Sequence, residues 1–234
     1  WNESKRLFEG ACFEIIAHAI NLHRTDIKSE VKLKELMKGS RTNMGVDVDQ
    51  LYYTKVKTIY GEIMKYATQV QAKFNLPPES MEGINKLKVA NRKMVEAIKD
   101  SKGLQKNADR YINSDSLHII KEYDRLRRKV SKALREIYRT RKDEHPDHHF
   151  TKLEELKSKA KKNDFLTNGT LEALFEDDSI SNDLITSLVN DSDAIGKVTT
   201  NLINVAELLY INNDSILEDD SLTDEDLEIN ADTK

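Results

Sequence analysis

The chain has 234 residues, 33% of them charged and 38% hydrophobic, with a formal net charge of −4. That length suits one large helical domain or two small ones, and only 8 Gly and 3 Pro favour long helices with short connections. One cysteine excludes an internal disulfide framework, and no stretch approaches the ~18–20 apolar residues that a membrane-spanning helix needs.

Leu7, Ala11, Ile15, Ala19 and Leu22 recur at three- and four-residue spacing and predict a first helix over about 2–23. Cys12 lies in its apolar run Ala11-Cys12-Phe13, which predicts a buried, inert thiol. Asp26 or Thr25 suits the cap of a short second helix that ends near Met37, with Gly39 as its stop. Residues 39–46 read as a loop. A long helix follows over 47–74, with Leu51, Val56, Ile59, Ile63 and Val70 inward, until Pro77 and Pro78 end it and start the next. Over 78–113 the stripe is Ile84, Leu87, Met94, Ile98, Leu104, Ala108 and Ile112, with polar Asn91 and Ser101 on or beside it.

After the turn Asn113-Ser114-Asp115 comes the cleanest amphipathic stripe, from Leu117 through Tyr123, Leu126, Val130 and Leu134 to Ile137. Its outer face is basic, since 121–142 holds ten Lys or Arg against three acids. A polar break with Pro146 follows, then two shorter helices at about 150–163 and 167–177, and a last one over 181–211. Residues 212–234 carry nine acids and one Lys without periodicity, which predicts a disordered tail. Without that tail the 37 basic and 41 acidic residues become 36 and 32, a body of net +4. The pattern predicts an all-α, antiparallel helical bundle in two halves, 1–113 and 114–211, ahead of the acidic tail 212–234.

No phosphate-cradling glycine loop, paired cysteines, His-Glu-x-x-His or Gly-x-Ser-x-Gly occurs, so the chain reads as an interaction or regulatory module and not an enzyme. Three weaker constellations stand against plain structural accounts. His145, His148 and His149 offer metal ligands, although a polar turn with incidental histidines is the simpler account. Glu96 and Asp100 stand four apart on one helical face, a pair that holds a divalent cation when a second helix adds oxygens. Asp191 and Ser192 interrupt the last stripe after Leu188, so each must face out or meet a cation or hydrogen-bond donor. The basic helix predicts contact with an anionic surface through Arg125, Arg127, Arg128, Lys132 and Arg135. Its tyrosines sit on or next to the apolar stripe and do not interleave with arginine, which argues against nucleic acid.

Several strings carry a family resemblance. Leu51-Tyr52 through Tyr60-Gly61-Glu62-Ile63 and the run Val95-Glu96-Ala97-Ile98-Lys99-Asp100-Ser101-Lys102-Gly103-Leu104-Gln105-Lys106-Asn107 resemble the cytoplasmic C-terminal region of bacterial sodium/phosphate cotransporter family proteins. Glu122-Tyr123-Asp124-Arg125-Leu126-Arg127 and Thr186-Ser187-Leu188-Val189-Asn190-Asp191-Ser192 do the same, and the likeness covers most of 1–211. That region is similar to the PhoU-like fold, a three-helix-bundle repeat that often occurs twice. The resemblance implies a regulatory appendage at the cytoplasmic face of the bacterial inner membrane, partnered by its own membrane transporter domain and compatible with a homodimer. A chain that opens on Trp1 and not Met fits such a piece of a longer protein. PhoU-like proteins also carry Glu/Asp-x-x-x-Asp motifs that bind metal. Glu96-Ala97-Ile98-Lys99-Asp100 matches that motif, whereas Ser187-Leu188-Val189-Asn190-Asp191 lacks the first carboxylate. The implication is one divalent cation at most, held by Glu96, Asp100 and Asp191. The alternatives are a free-standing helical adaptor, binding a protein partner through the basic helix and acidic tail, and a metal-dependent enzyme using the same three carboxylates.

Overall fold

The computed structural model describes residues 1–162, 167–176 and 181–211. Their regular structure is all helix, with no strand among the described residues. The first predicted helix forms as α1 (Asn2–Leu7), a π-helical turn (Phe8–Cys12) and α2 (Phe13–Ala19) in unbroken succession. It ends where Asn21 takes a left-handed φ of 55°, a conformation that asparagine tolerates better than most side chains.

Two of the expected helices are divided. The second is α3 (Arg24–Lys28) and α4 (Leu33–Gly39). Asp26 serves α3 from inside its first turn, accepting from the His23 amide at 2.7 Å, and Ser29 then turns extended and stops the helix. The third is α5 (Val48–Lys55), capped by Asp47, and α6 (Lys57–Lys73), with the break at buried Val56. The expected inward stripe holds in part, for Val56 is buried and Leu51 and Ile63 pack against the core, whereas Ile59 does not. Ile59 is 39% exposed and Tyr66 71%, and Ala67 is the one fully buried position recorded for α6.

The long elements follow the periodicity closely. α7 (Pro78–Tyr111) begins on proline, whose missing N–H costs nothing in a first turn. α8 (Leu117–Lys142) is capped by Ser116. After a 3₁₀ turn (Pro146–His149) come α9 (Phe150–Lys161), α10 (Thr170–Glu176) and α11 (Asn182–Ala206), which runs on into a π-helical turn (Glu207–Ile211). The predicted acidic tail 212–234 lies outside the described residues.

α11 is the central strut, packed on α7, α8 and α9. It runs antiparallel to α7, for Asn107 meets Asp191 while Asp100, earlier in α7, faces Lys197. The main core draws on residues from Leu7 to Leu104 and again from Leu126 to Leu209, so the two predicted halves share one hydrophobic interior. A smaller cluster around Tyr111, Ile112, Tyr123 and Leu188 seals the turn between α7 and α8. α9 comes closest to α11 at Gly196, where an added Cβ would lie 3.0 Å from the Ala160 carbonyl oxygen.

One end of the bundle is tied together by Arg127, and this corrects the expectation that it lies on the outer basic face. Only 1% exposed, it donates from Nε to Ile20 O at 2.8 Å and from its Nη atoms to the carbonyls of Asn21, Met37 and Ser40. Those carbonyls close α2 and α4, the electronegative ends where a cation is most favoured. Asp124 supplies the counter-charge to Arg127 at 3.2 Å and to Arg41 at 2.6 Å. Arg41 in turn donates to Ile112 O at the end of α7. Burial lowers the Arg127 pKa to about 10, so the guanidinium stays charged at neutral pH.

Candidate anion-binding groove

The basic run of α8 becomes a site because α9 folds back beside it. The two helices wall a groove of about 530 Å³ whose floor is Leu156, Ala160 and Thr199 of α11. From α8 come Arg125, Arg128, Lys129, Lys132, Arg135 and Arg139, and from α9 come Lys152 and Lys159. Among the described residues the single lining carboxylate is Glu136, already hydrogen-bonded to His149 Nδ1 at 2.7 Å and 3.6 Å from Arg139.

Four of the five arginines and lysines that the sequence singled out lie here, each in a different state. Glu122 holds Arg125 through Nε at 2.9 Å. Arg128 donates to the Asp124 carbonyl at 3.2 Å, and Lys132 projects exposed from the middle of the wall. Arg135 fastens the α3–α4 link by donating to Val31 O at 2.7 Å and Asp26 O at 3.2 Å, while its Nε has no partner among the described residues. The sequence reading passed over Lys129 and Arg139, although their three- and four-residue offsets from the named residues place them on the same face. Lys152 and Lys159 stand seven apart on α9, a spacing that marks a face but not what the face meets. For Thr199 no sequence signal existed. It is 1% exposed, and its Oγ1 has no hydrogen-bond partner among the described residues.

The carboxylates named for a metal are not brought together. Asp191 accepts from Tyr123 OH at 2.7 Å and from Asn107 Nδ2 at 3.2 Å, which meets the demand that burial placed on it. Glu96 is 3.7 Å from Arg92, and Asp100 faces Lys197 and Asp193. The antiparallel register puts Asp191 opposite Asn107, seven residues or about 10 Å along α7 from Asp100. Among the described residues no group of three or more His, Cys, Asp or Glu is placed to hold a metal ion. His149 instead braces a turn, its ring nitrogens bonded to Glu136 and to Asp143 at 3.0 Å. Burial opposes charge on that imidazole, but the two carboxylates outweigh it and raise its pKa. The Cys12 thiol is buried and pushed far up by desolvation, so it is inert as the sequence suggested.

Asp191 carries a measurable consequence. Burial raises its pKa to about 6 against an ordinary 3.8, the hydrogen bonds from Tyr123 and Asn107 only partly opposing this. The folded state therefore holds this proton more tightly than the unfolded one. Stability from that proton is complete below about pH 4 and lost as pH rises through 6, about 3 kcal/mol in all. Asp191→Asn is expected to be more stable than the parent at pH 7.5, by an amount that shrinks toward pH 4.5. Urea midpoints across that range check it, and a constant difference would refute it.

Among the described residues no helix is long and apolar enough to cross a membrane. No family model, curated protein or solved structure matches this chain.

Proposed function

We propose that this chain is a PhoU-like regulatory module, which works at the cytoplasmic face of a bacterial membrane beside a sodium/phosphate transporter domain and binds phosphate-bearing anions through the outer face of α8. The observation that carries the reading is the charge of that face, with six cations of α8 lining one groove against Glu136 alone among the described residues. An array of this kind attracts anionic headgroups with about 1 kcal/mol for each basic side chain near the surface. The helical bundle agrees with the architecture that the resemblance implies. Two of the strings, 95–107 and 186–192, touch at one point, where Asn107 meets Asp191.

Sedimentation with lipid vesicles tests the reading. The protein is expected to bind phosphatidylglycerol-rich vesicles at ~0.1 M salt, to release them as salt screens the attraction, and to ignore phosphatidylcholine. Reversing Arg128 and Lys132 to Glu is expected to weaken that binding by at least about tenfold. Equal binding to neutral vesicles, or none to anionic ones at low salt, would refute the reading.

A further inference from the structure

We propose that the groove between α8 and α9 is a binding site for a soluble anion that carries several phosphate groups. The proposal rests on the reading of α8 as an anion-binding face and goes further, because the site is concave and walled on two sides. A planar headgroup layer meets a convex ridge most easily. Here Lys152 and Lys159 face the α8 cations across a space of about 530 Å³, within the ~300–1,000 Å³ of ordinary small-molecule pockets.

Three features define the ligand. The first is its charge. The cations run from Arg125 to Arg139 along α8, a rise of about 21 Å, so a lone phosphate reaches only its nearest few while a chain or ring of phosphates bridges both walls. The second is a donor at depth. Thr199 Oγ1 is buried at the floor with no partner among the described residues, and a phosphate oxygen would satisfy it. The third is a small apolar shelf of Leu33, Leu156 and Ala160, which accepts the uncharged backbone of such a molecule. Charge-assisted hydrogen bonds from arginine and lysine to phosphate are the strong kind, and several acting together give selectivity by valence.

Titration calorimetry of the full chain at constant ionic strength tests this, with inorganic tripolyphosphate and orthophosphate as probes. Tripolyphosphate is expected to bind at least about tenfold more tightly than orthophosphate. Lys132→Glu on one wall and Lys159→Glu on the other are each expected to weaken it by at least about fivefold. Both side chains are exposed, so folding is preserved. Thr199→Val, which keeps shape and removes the hydroxyl, is expected to weaken tripolyphosphate about threefold or more without lowering the thermal midpoint. Equal affinity for the two probes overturns the proposal, as does tripolyphosphate binding that survives both lysine reversals. Vesicle sedimentation of the same variants separates the two ligand sources. Vesicle binding without tripolyphosphate binding refutes the groove proposal and leaves the membrane reading standing. Tripolyphosphate binding without vesicle binding does the reverse, and the loss of both refutes both.

Discussion

Arg127→Leu is expected to be the most damaging single substitution in the chain, costing about 3–5 kcal/mol or more of a total that for a domain of this size is about 5–15 kcal/mol. The carbonyls of Ile20 and Asn21 would lose their donor inside the protein, those of Met37 and Ser40 would keep only the weaker Ser40 Oγ bond at 3.4 Å and the Asn21 Nδ2 bond at 2.8 Å, and Asp124 would keep its charge with only Arg41 beside it. An unsatisfied buried carbonyl costs about 1–3 kcal/mol, so the sum outweighs any gain from apolar burial of leucine. Arg127→Lys is expected to fail as well, though less severely, because one ammonium cannot span the ends of two helices as a planar fork does. Arg128→Leu, one position along and part of the groove wall, is the control and should shift stability by less than about 1 kcal/mol. Urea denaturation at pH 7 separates these outcomes. An Arg127→Leu midpoint close to that of Arg128→Leu would show that the carbonyls find other partners.

Lys157→Met should come next. Lys157 reaches from α9 to Glu207 at 2.9 Å, in the π-helical turn that ends α11, and that carboxylate is fully buried. Burial raises the Glu207 pKa while Lys157 pulls it back, so removal of the lysine exposes the full cost of desolvation. A loss of about 3–5 kcal/mol is expected at pH 7, shrinking as the pH falls and Glu207 takes up a proton. Lys157→Met with Glu207→Gln should regain most of the loss, since the fully buried charge is then gone and only the half-exposed Glu154 has lost its lysine partner. A double variant as unstable as the single one would mean that the pair merely sits at a site sensitive to any change.

Neither prediction could be drawn from the sequence, which offers no signal for the Lys157–Glu207 pair. The long elements α7, α8 and α11 could be read because each keeps one apolar stripe for its whole length, and because proline and serine mark where they start. The divided elements could not, since the break at Val56 interrupts neither apolar spacing nor composition. Arg127 was counted with its basic neighbours, yet it stands four after Tyr123 and three before Val130, on the register of the buried stripe. Position, taken before residue type, would have placed it inside. Asp191 was anticipated correctly as a group that needs partners, though its partners, Tyr123 and Asn107, come from helices whose register no local pattern encodes. The groove was half legible. The α8 wall follows from helical spacing, but the facing wall and the Thr199 floor depend on how α9 returns, which is tertiary information.

The contact of Gly196 with Ala160 gives the groove an unusual kind of gauge. Because the atom that a methyl group would crowd belongs to the backbone of α9, no change of rotamer can absorb it, and the last turn of α9, which carries Lys159, has to give by a few tenths of an ångström. The seat of the groove's Lys159 end therefore depends on position 196 carrying a hydrogen atom in place of a side chain, although that position does not itself line the groove.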